Sequence, residues 1–463
     1  MATAREEVRD AYKVLDQAEI RFQGQPVGAT AAYSPHQSKS SHYQECFVRD
    51  FTVAALVHLA DGRTEVVGNF LKAVNDVREQ DQSREGYDQA PGVMPASFWV
   101  QTDATGREEL QADFGDWAVG RVAPVDSMMW WTILLHAYVQ RTDTEGRKWA
   151  QREDFQTALT QILSLCLKGS FEVFPTLLVP DGSCMVDRRL GLAGHPIEIQ
   201  ALFAGFLHSA EELLQENDDN RPLLETSRTR HRLLRDYVHS QYWVDPQRLN
   251  EIHRFRTEEF GKGAHNALNI QPESLPQWVE RWLPDSGGYL VANAGPGRLD
   301  VRLFTLGNLL AILFGLTTEQ QTSRIMETFE AAWTDLAGAM PMKLCFPAVE
   351  GEDWFALTGA DPKNKPWRYH NGGHWPVLLW AFVAAALVAQ RRDLAEKAFE
   401  AARTRLFNDA WPEYYDGRIG RYLGRDAHLR QIWTAGSFLF AHRLLEDPSL
   451  LAMFPGQPTP LAV

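Results

Sequence analysis

A cluster of polar and aromatic residues runs directly into an apolar helical stretch at six places along the chain. A buried helix ordinarily begins with a single capping residue, whereas each of these clusters holds several polar or aromatic side chains. Six such junctions indicate a ring of helices whose N-terminal ends share one polar mouth. The junctions span residues 46–51, 123–131, 194–200, 299–308, 369–376 and 429–436.

Charged, amphipathic helical stretches alternate with these apolar ones. In the last charged stretch, Leu394, Phe399 and Leu406 belong to an apolar stripe that recurs at helical spacing between Arg, Glu and Lys. The fifth apolar stretch has no polar face, so it must be surrounded by protein. The charged stretches lie near 4–22, 64–79, 146–168, 221–240, 318–337 and 391–408. The apolar stretches lie near 50–60, 128–140, 199–214, 303–316, 376–389 and 435–445.

The strict alternation of six outer with six inner helices predicts an all-α fold, an (α/α)6 barrel. The spacing between junctions is unequal, which argues against a solenoid built on a fixed repeat. Because no linker interrupts the alternation, we expect a single barrel domain over residues 1–446, followed by a Pro-rich C-terminal tail over 447–463. The long stretch before the fourth inner helix, near 241–300, is expected to lie over the mouth.

Composition limits the partners and the compartment. A formal net charge of −14 over 463 residues argues against nucleic acid or an anionic membrane as a partner. The longest apolar run, 375–389, is too short to span a membrane comfortably. The N-terminus begins as an acidic helix, so we expect neither a signal nor a transit peptide. Four cysteines without paired spacing suit a reducing cytoplasm.

The sequence lacks the motifs that bind nucleotides, flavins and catalytic metals. There is no P-loop, no strand-borne GxGxxG, no HExxH and no GxSxG, and the 14 histidines show no metal-ligand spacing. We therefore expect no cofactor and no metal. Tryptophan is abundant, with 15 residues, several of them beside carboxylates or amides in the junctions. Such surroundings favour a carbohydrate site, although any single Trp could equally fill the core.

Two carboxylates stand out by position. Asp187 lies ahead of the third inner helix and Glu413 ahead of the sixth. Elements three and six of a six-membered ring face each other, so a substrate between them would have one acid on each side, as glycoside hydrolysis requires. Arg188, Tyr414 and Tyr415 are adjacent and could tune their ionisation. The alternatives are that Asp187 caps a turn and that Glu413 pairs with a nearby arginine.

Six long strings of residues point to a known family. They are PheValArgAspPhe (47–51), ProValAspSerMetMetTrpTrp (124–131), GlyHisProIleGluIleGlnAlaLeuPhe (194–203), ThrGluGluPhe (257–260), the string from Thr358 to Pro376 that contains AspProLysAsnLysProTrp, and TrpProGluTyrTyrAspGly (411–417). With these strings the chain resembles the neutral/alkaline invertases, family 100 of the glycoside hydrolases, from about residue 40 to 440. A string as long as the fifth is far more specific than a short pattern.

The resemblance implies an (α/α)6 barrel that hydrolyses the α-1,β-2 linkage of sucrose without a cofactor. It implies that Asp187 is the general acid and Glu413 the general base. The opposed positions of the two acids predict the wide carboxyl separation of an enzyme that inverts the glucosyl anomeric carbon. The resemblance also implies a homo-oligomer, with a hexamer as the expected form, and a short chain without targeting segment resembles the cyanobacterial type.

Candidate sugar contacts follow from positions at the mouth. Arg49 and Asp50 begin the first inner helix, as a similar pair does in other (α/α)6 sugar hydrolases, where it grips glucosyl hydroxyls; the alternative is an ion pair within the helix. The chain departs from the family at His374, Phe255 and Phe260. The further candidates, any of which could instead support its neighbours, are Trp99, Asp126, His195, Gln200, Tyr369, His370, Arg430 and Gln431.

Two other functions remain open at this point. A sugar epimerase or isomerase on the same barrel would use paired histidines as acid and base, and His195 and His370 would then matter more than Asp187. A carbohydrate-binding protein without catalysis would keep the Trp contacts but lack one of the acids. Both acids are present in this sequence.

Overall fold

The computed structural model describes residues 4–32, 42–78, 83–84, 87–88, 90–115, 124–168, 175–179, 184–185, 190, 194–243, 277–284, 287–295 and 298–457. Four residues discussed above, Asp187, Arg188, Phe255 and Phe260, lie outside the described residues. Most of the stretch 241–300 that we expected over the mouth also lies outside them.

Six apolar helices of the described chain form a closed ring. Each contacts the next along the chain, and the sixth contacts the first, which closes the barrel. Their side chains are almost all buried because each helix has neighbours on both sides and a further layer outside. These inner helices, first to sixth, are Val48–Ala60, Val125–Thr142, Ile197–Leu213, Thr305–Leu313, Leu379–Val388 with the preceding turn Pro376–Leu378, and Ile432–Glu446.

Amphipathic helices pack around this ring. In the last of them the residues Leu394, Ala398, Phe399 and Leu406 are buried, which is the stripe that the periodicity predicts. The (α/α)6 barrel is therefore confirmed, with helix boundaries within a few residues of prediction at most ends. The outer helices, first to sixth, are Ala4–Ala18, Thr64–Asp76, Glu153–Cys166 with the preceding short helix Thr144–Ala150, Arg221–Tyr237, Glu319–Ala331 with the short helix Trp333–Leu336, and Arg392–Asn408.

Short strands bind the mouth loops together, a feature that the helical pattern does not predict. Strand Cys46–Phe47 runs straight into the first inner helix and pairs with Ser97–Thr102, which forms a hairpin with Glu108–Asp113. Strand Arg298–Phe304 runs into the fourth inner helix and lies between Val291–Gly295 and Cys345–Phe346. Smaller antiparallel pairs are Glu19–Phe22 with Gln25–Ala29, Ser83–Arg84 with Tyr87–Asp88, and Tyr415–Asp416 with Tyr422–Leu423.

The remaining described elements lie at the edges of the barrel. A π-helical turn, Val238–Tyr242, extends the fourth outer helix, and short helices span Gln277–Trp282 and Gly351–Thr358. The turn Pro448–Met453 lies beyond the sixth inner helix, and Phe454 stacks on Trp380 of the fifth. None of the described helices is long and apolar enough to cross a membrane. The division of the chain at residue 446 stays a prediction.

Candidate active site

The N-terminal ends of the inner helices bring four carboxylates to one mouth. Asp50 and Asp126 lie in the first turns of the first and second inner helices, and Glu198 lies in the first turn of the third. Glu413 comes from the loop that precedes the sixth. All four are at most 8% exposed. A buried anion is costly unless it is neutralised or hydrogen-bonded, so this concentration of carboxylates requires a chemical reason.

Glu413 is the carboxylate with the most directed surroundings. Its Oε1 accepts a hydrogen bond from the phenol of Tyr43 at 3.0 Å, and its Oε2 accepts one from the main-chain N–H of His428 at 3.3 Å. Burial raises the pKa of Glu413, while the charge of Lys363 and these two hydrogen bonds lower it. The carboxylate is thus held in one orientation and remains able to accept a proton.

Asp50 faces the same space as Glu413. Burial raises the pKa of Asp50 to about 7; the charges of Glu413 and Asp126 add to the rise, and Arg49 opposes it. Among the described residues no donor forms a hydrogen bond with its side chain. Its oxygens therefore remain available to a ligand that brings its own hydroxyl donors.

Arg49 pairs across the mouth rather than along its own helix. Its Nε donates to Oδ2 of Asp126, which is fully buried, so the ion pair joins the first and second inner helices. This replaces the ion pair with Asp50 that we considered as an alternative. The other oxygen of Asp126, Oδ1, is buried without a partner in the described part of the chain.

More unpartnered polar atoms surround the barrel axis. The indole N–H groups of Trp130 and Trp433 are buried without partners among the described residues, and so are both ends of the Gln431 side-chain amide. Trp130, Trp433 and Arg49 line a small cavity between the inner helices. A buried polar group left unpaired costs about 1–3 kcal/mol. Several such groups near the N-terminal ends of the inner helices suit a ligand with many hydroxyls, which would satisfy them.

His195 and Gln200 hold the loop that leads toward Asp187. Gln200 uses both ends of its amide on the main chain of Leu177, at 2.8 and 2.9 Å. His195 hydrogen-bonds Thr176 through Nδ1 at 2.6 Å, and burial lowers the pKa of its ring. Both side chains are buried. The structure thus joins these two candidates to residues 176–177 of the preceding loop.

The described residues on either side of Asp187 are fixed to the barrel. Oε1 of Glu198 accepts the main-chain N–H of Met185 at 2.7 Å. On the other side, Nη2 of the buried Arg302 donates to the carbonyl of Leu190 at 3.2 Å. Met185 is therefore held by the third inner helix, and Leu190 by the strand Arg298–Phe304.

A cluster of aromatic rings lies beside the loop of Glu413. The ring of Tyr369 stacks on His370 at 4.1 Å and meets the edge of Tyr414 at 5.2 Å. Tyr369 has a φ of 47°, and a Cβ on Gly373 would lie 2.4 Å from its carbonyl oxygen, so the turn requires glycine at 373. The ammonium of Lys363 lies 3.9 Å from the centre of the Tyr369 ring.

Two further expected sugar contacts, Trp99 and Arg430, lie in segments beside the mouth. Trp99 is half-buried in the hairpin beside the first inner helix, opposite Gln111. The guanidinium of Arg430 donates to Gln17 of the first outer helix at 2.6 Å. His374, where the sequence departs from the family that it resembles, is buried and hydrogen-bonds the carbonyl of Met340 at 2.6 Å.

Six residues of this site were not named among the sequence candidates: Tyr43, Trp130, Glu198, Lys363, His428 and Trp433. Each lies in or next to one of the junctions or family strings, and that position is the signal that could have identified it. Glu198 stands inside GlyHisProIleGluIleGln and Lys363 inside AspProLysAsnLysProTrp. The sequence does not show that Tyr43 and His428 meet at Glu413.

Comparisons with known sequences point to one family. A family model described as alkaline and neutral invertase matches residues 11–448. The chain is 44% identical over 446 residues to alkaline/neutral invertase C, mitochondrial, of Arabidopsis thaliana, with 95% of this chain and 67% of that protein covered. It is also 44% identical over 447 residues to cytosolic invertase 1 of Oryza sativa subsp. japonica, with 96% and 79% covered.

Solved structures share the fold at low sequence identity. A GH63 mannosylglycerate hydrolase from Thermus thermophilus in complex with Tris superimposes with a TM-score of 0.57 at 12% identity, over 94% of this chain and 99% of that one. A bacterial glucoamylase complexed with acarbose gives a TM-score of 0.55 at 12% identity, over 97% of this chain and 56% of that one. These likenesses support the barrel architecture.

Proposed function

The chain belongs to the alkaline and neutral invertase family, and from that premise we propose that it hydrolyses sucrose to glucose and fructose. The observation that carries the proposal is the buried Glu413 carboxylate, which two donors orient at the mouth of a barrel lined with unpartnered polar groups. Incubating the purified protein with sucrose and measuring free glucose and fructose tests it. A failure to release either sugar would reject it.

We assign the role of general base to Glu413. Its carboxylate takes a proton from a water molecule, whose oxygen then forms a bond to the anomeric carbon of the glucosyl unit. Burial raises the pKa of Glu413, so its carboxylate has a higher affinity for the proton than it would have in water. Tyr43 keeps its proton, since burial and the adjacent Glu413 raise the pKa of its phenol above its ordinary value, and it can only donate to the base.

We assign the role of general acid to Asp187. Its proton passes to the glycosidic oxygen as the bond from that oxygen to the glucosyl carbon breaks, and fructose leaves. The hydrogen bonds of Met185 and Leu190 attach the described residues on either side of Asp187 to Glu198 and Arg302. The opposite placement of the third and sixth inner helices in the ring supports a separation of about 6.5–9.5 Å, which inverting hydrolases use.

The glucosyl unit is proposed to lie between the two acids, over the cavity at the barrel axis. Asp50 and Asp126 would accept hydrogen bonds from its hydroxyls, and Gln431 would donate and accept through its amide. The indole N–H groups of Trp130 and Trp433 would donate to hydroxyl oxygens. This assignment gives partners to polar atoms that otherwise remain buried and unpaired in the described chain.

The epimerase alternative receives less support. Its chemistry would need His195 and His370 as acid and base, but the His195 ring bonds Thr176 and the His370 ring stacks on Tyr369. The invertase family favours hydrolysis.

We further propose that the enzyme acts in the cytoplasm as a homo-oligomer, with a hexamer as the expected form. Its four cysteines are free and buried, which suits a reducing compartment. Relatives include cytosolic, mitochondrial and chloroplastic proteins, so cell fractionation is needed to decide the compartment. Light scattering on the purified protein would decide the oligomeric state, and a monomer would reject the second part of the proposal.

A further inference from the structure

His428 is joined to Glu413 by two main-chain contacts. The N–H of Glu413 donates to the carbonyl of His428 at 2.8 Å, and the N–H of His428 donates back to Oε2 of Glu413 at 3.3 Å. The main chain of His428 therefore fixes both the backbone and one carboxylate oxygen of the proposed base.

The ring of His428 supports the residue that fixes the other oxygen. It stacks on the ring of Tyr43 with 3.5 Å between centroids and 30° between planes. Tyr43 lies in the short turn His42–Gln44, and its phenol donates to Oε1 of Glu413 at 3.0 Å. The imidazole of His428 packs against one face of the phenol ring. This contact limits the orientations of the ring and so of its hydroxyl.

The stack does not require a charged ring. Burial lowers the pKa of His428, and the charge of Lys363 adds to this effect, so the ring is neutral at neutral pH. The titratable and charged groups that face Glu413 from the described elements are Asp50, Tyr43, Tyr414 and Lys363.

We infer that His428 is a positioning residue for the proposed hydrolysis, whose flat ring holds Tyr43 and thereby the carboxylate of Glu413. The inference rests on the proposed function for its kinetic consequence. It assigns no proton transfer to the imidazole. A planar ring of another kind at position 428 should therefore serve nearly as well.

Three variants test this inference. His428→Ala removes the ring, His428→Phe keeps a flat ring without nitrogen atoms, and Leu429→Ala is the matched control, because Leu429 is the next residue of the same loop and is 45% exposed. We expect His428→Ala to lower kcat by about tenfold to a hundredfold, the scale expected for a misplaced catalytic group, with little change in KM. The acid side of its pH–rate profile should move to higher pH, because Glu413 loses a well-placed donor. His428→Phe and Leu429→Ala should stay close to the wild type in both respects.

Double variants make the test specific. In a Tyr43→Phe background the hydroxyl that the ring supports is gone, so His428→Ala should have little further effect on the pH–rate profile. Equal defects in His428→Phe and His428→Ala would overturn the inference, since the nitrogen atoms rather than the stack would then matter. Wild-type kcat and pH profile in His428→Ala would overturn it as well.

A second readout is independent of sucrose. The folded protein is treated with a water-soluble carbodiimide over a range of pH, and mass spectrometry measures the labelling of Glu413. The pH at which Glu413 becomes protected should rise in His428→Ala and remain unchanged in His428→Phe. If the wild type releases no sugar from sucrose but this difference is found, the proposed function fails and the positioning role stands. If the labelling curves of all variants coincide, the positioning role fails.

Discussion

The phenol of Tyr43 donates a hydrogen bond to the carboxylate of Glu413 across 370 positions of the chain, at 3.0 Å. The first residue precedes the first inner helix and the second precedes the sixth, and these two helices contact each other where the barrel closes. The proposed base is therefore assembled at the seam of the barrel. The position of the Glu413 carboxylate therefore depends on closure of the helix ring.

Replacement of either proposed acid should abolish most of the activity. Asp187→Asn removes the proton that the leaving fructosyl oxygen needs, and Glu413→Gln leaves the attacking water unactivated, so each should lower kcat by roughly 10²–10⁴. Steady-state kinetics with sucrose measures this, and circular dichroism checks the fold. Turnover like that of the wild type in a folded variant would refute the assignment of that residue.

Asp50 should make both activity and stability depend on pH near neutrality. Because its pKa is raised to about 7, the folded protein binds its proton more tightly than the unfolded chain, and the resulting cost to stability develops as the pH rises from about 4 to about 7. At pH 8, Asp50→Asn should therefore unfold at a higher temperature than the wild type, and its free energy of unfolding should be larger by up to about 4 kcal/mol. At pH 4 the difference should nearly vanish. The same variant should bind the glucosyl unit poorly. Equal melting temperatures at pH 8 would contradict a buried carboxylate with a raised pKa.

Lys363 should keep Glu413 ionised. Removal of its charge in Lys363→Met should raise the pKa of Glu413, so that activity on the acid side is lost at a higher pH than in the wild type. Lys363→Arg should preserve the profile, and Lys365→Met offers a control on the same loop. High salt should shift the wild type in the direction of Lys363→Met, because the ammonium is exposed. If the acid side of the pH–rate profile were unchanged in Lys363→Met, the charge of Lys363 would not affect the pKa of Glu413.

Substrate choice should reflect a closed glucosyl pocket. Raffinose carries galactose on the glucosyl 6-hydroxyl, where Arg49 and Asp50 should lie, and maltose has a different leaving group. Both should be poor substrates, with kcat/KM below that of sucrose by about tenfold or more, if the pocket lacks space beyond the glucosyl unit. Comparable turnover of raffinose and sucrose would mean that the glucosyl end of the site is open.

The barrel could be predicted from the sequence because helical periodicity is a local property. The stripe at Leu394, Phe399 and Leu406 is visible from one stretch of chain, and alternation of such stretches indicates two layers. The direction of single side chains is not local. Gln200 lies at the expected helix end, but both ends of its amide bond the main chain of Leu177, and Arg430 bonds Gln17.

The candidate site could therefore be predicted from the sequence in outline but not in detail. A polar residue at a junction indicates which end of the barrel it occupies, because helix order fixes that end. Whether its hydrogen bonds are already used depends on segments far away in the chain. Tyr43 and His428 illustrate this. One precedes the first inner helix and the other the sixth, so their rings can stack only once the barrel has closed.

We propose inverting hydrolysis at the glucosyl carbon of sucrose, with acid and base on opposite walls of the barrel. Proton NMR of the sugars during the first minutes of the reaction, before mutarotation, tests it most directly. Because the glucosyl bond of sucrose is α and water attacks from the opposite face, glucose should appear first as the β anomer together with fructose. Glucose that appears first as the α anomer would mean a covalent intermediate or attack at the fructosyl carbon, and it would contradict the mechanism.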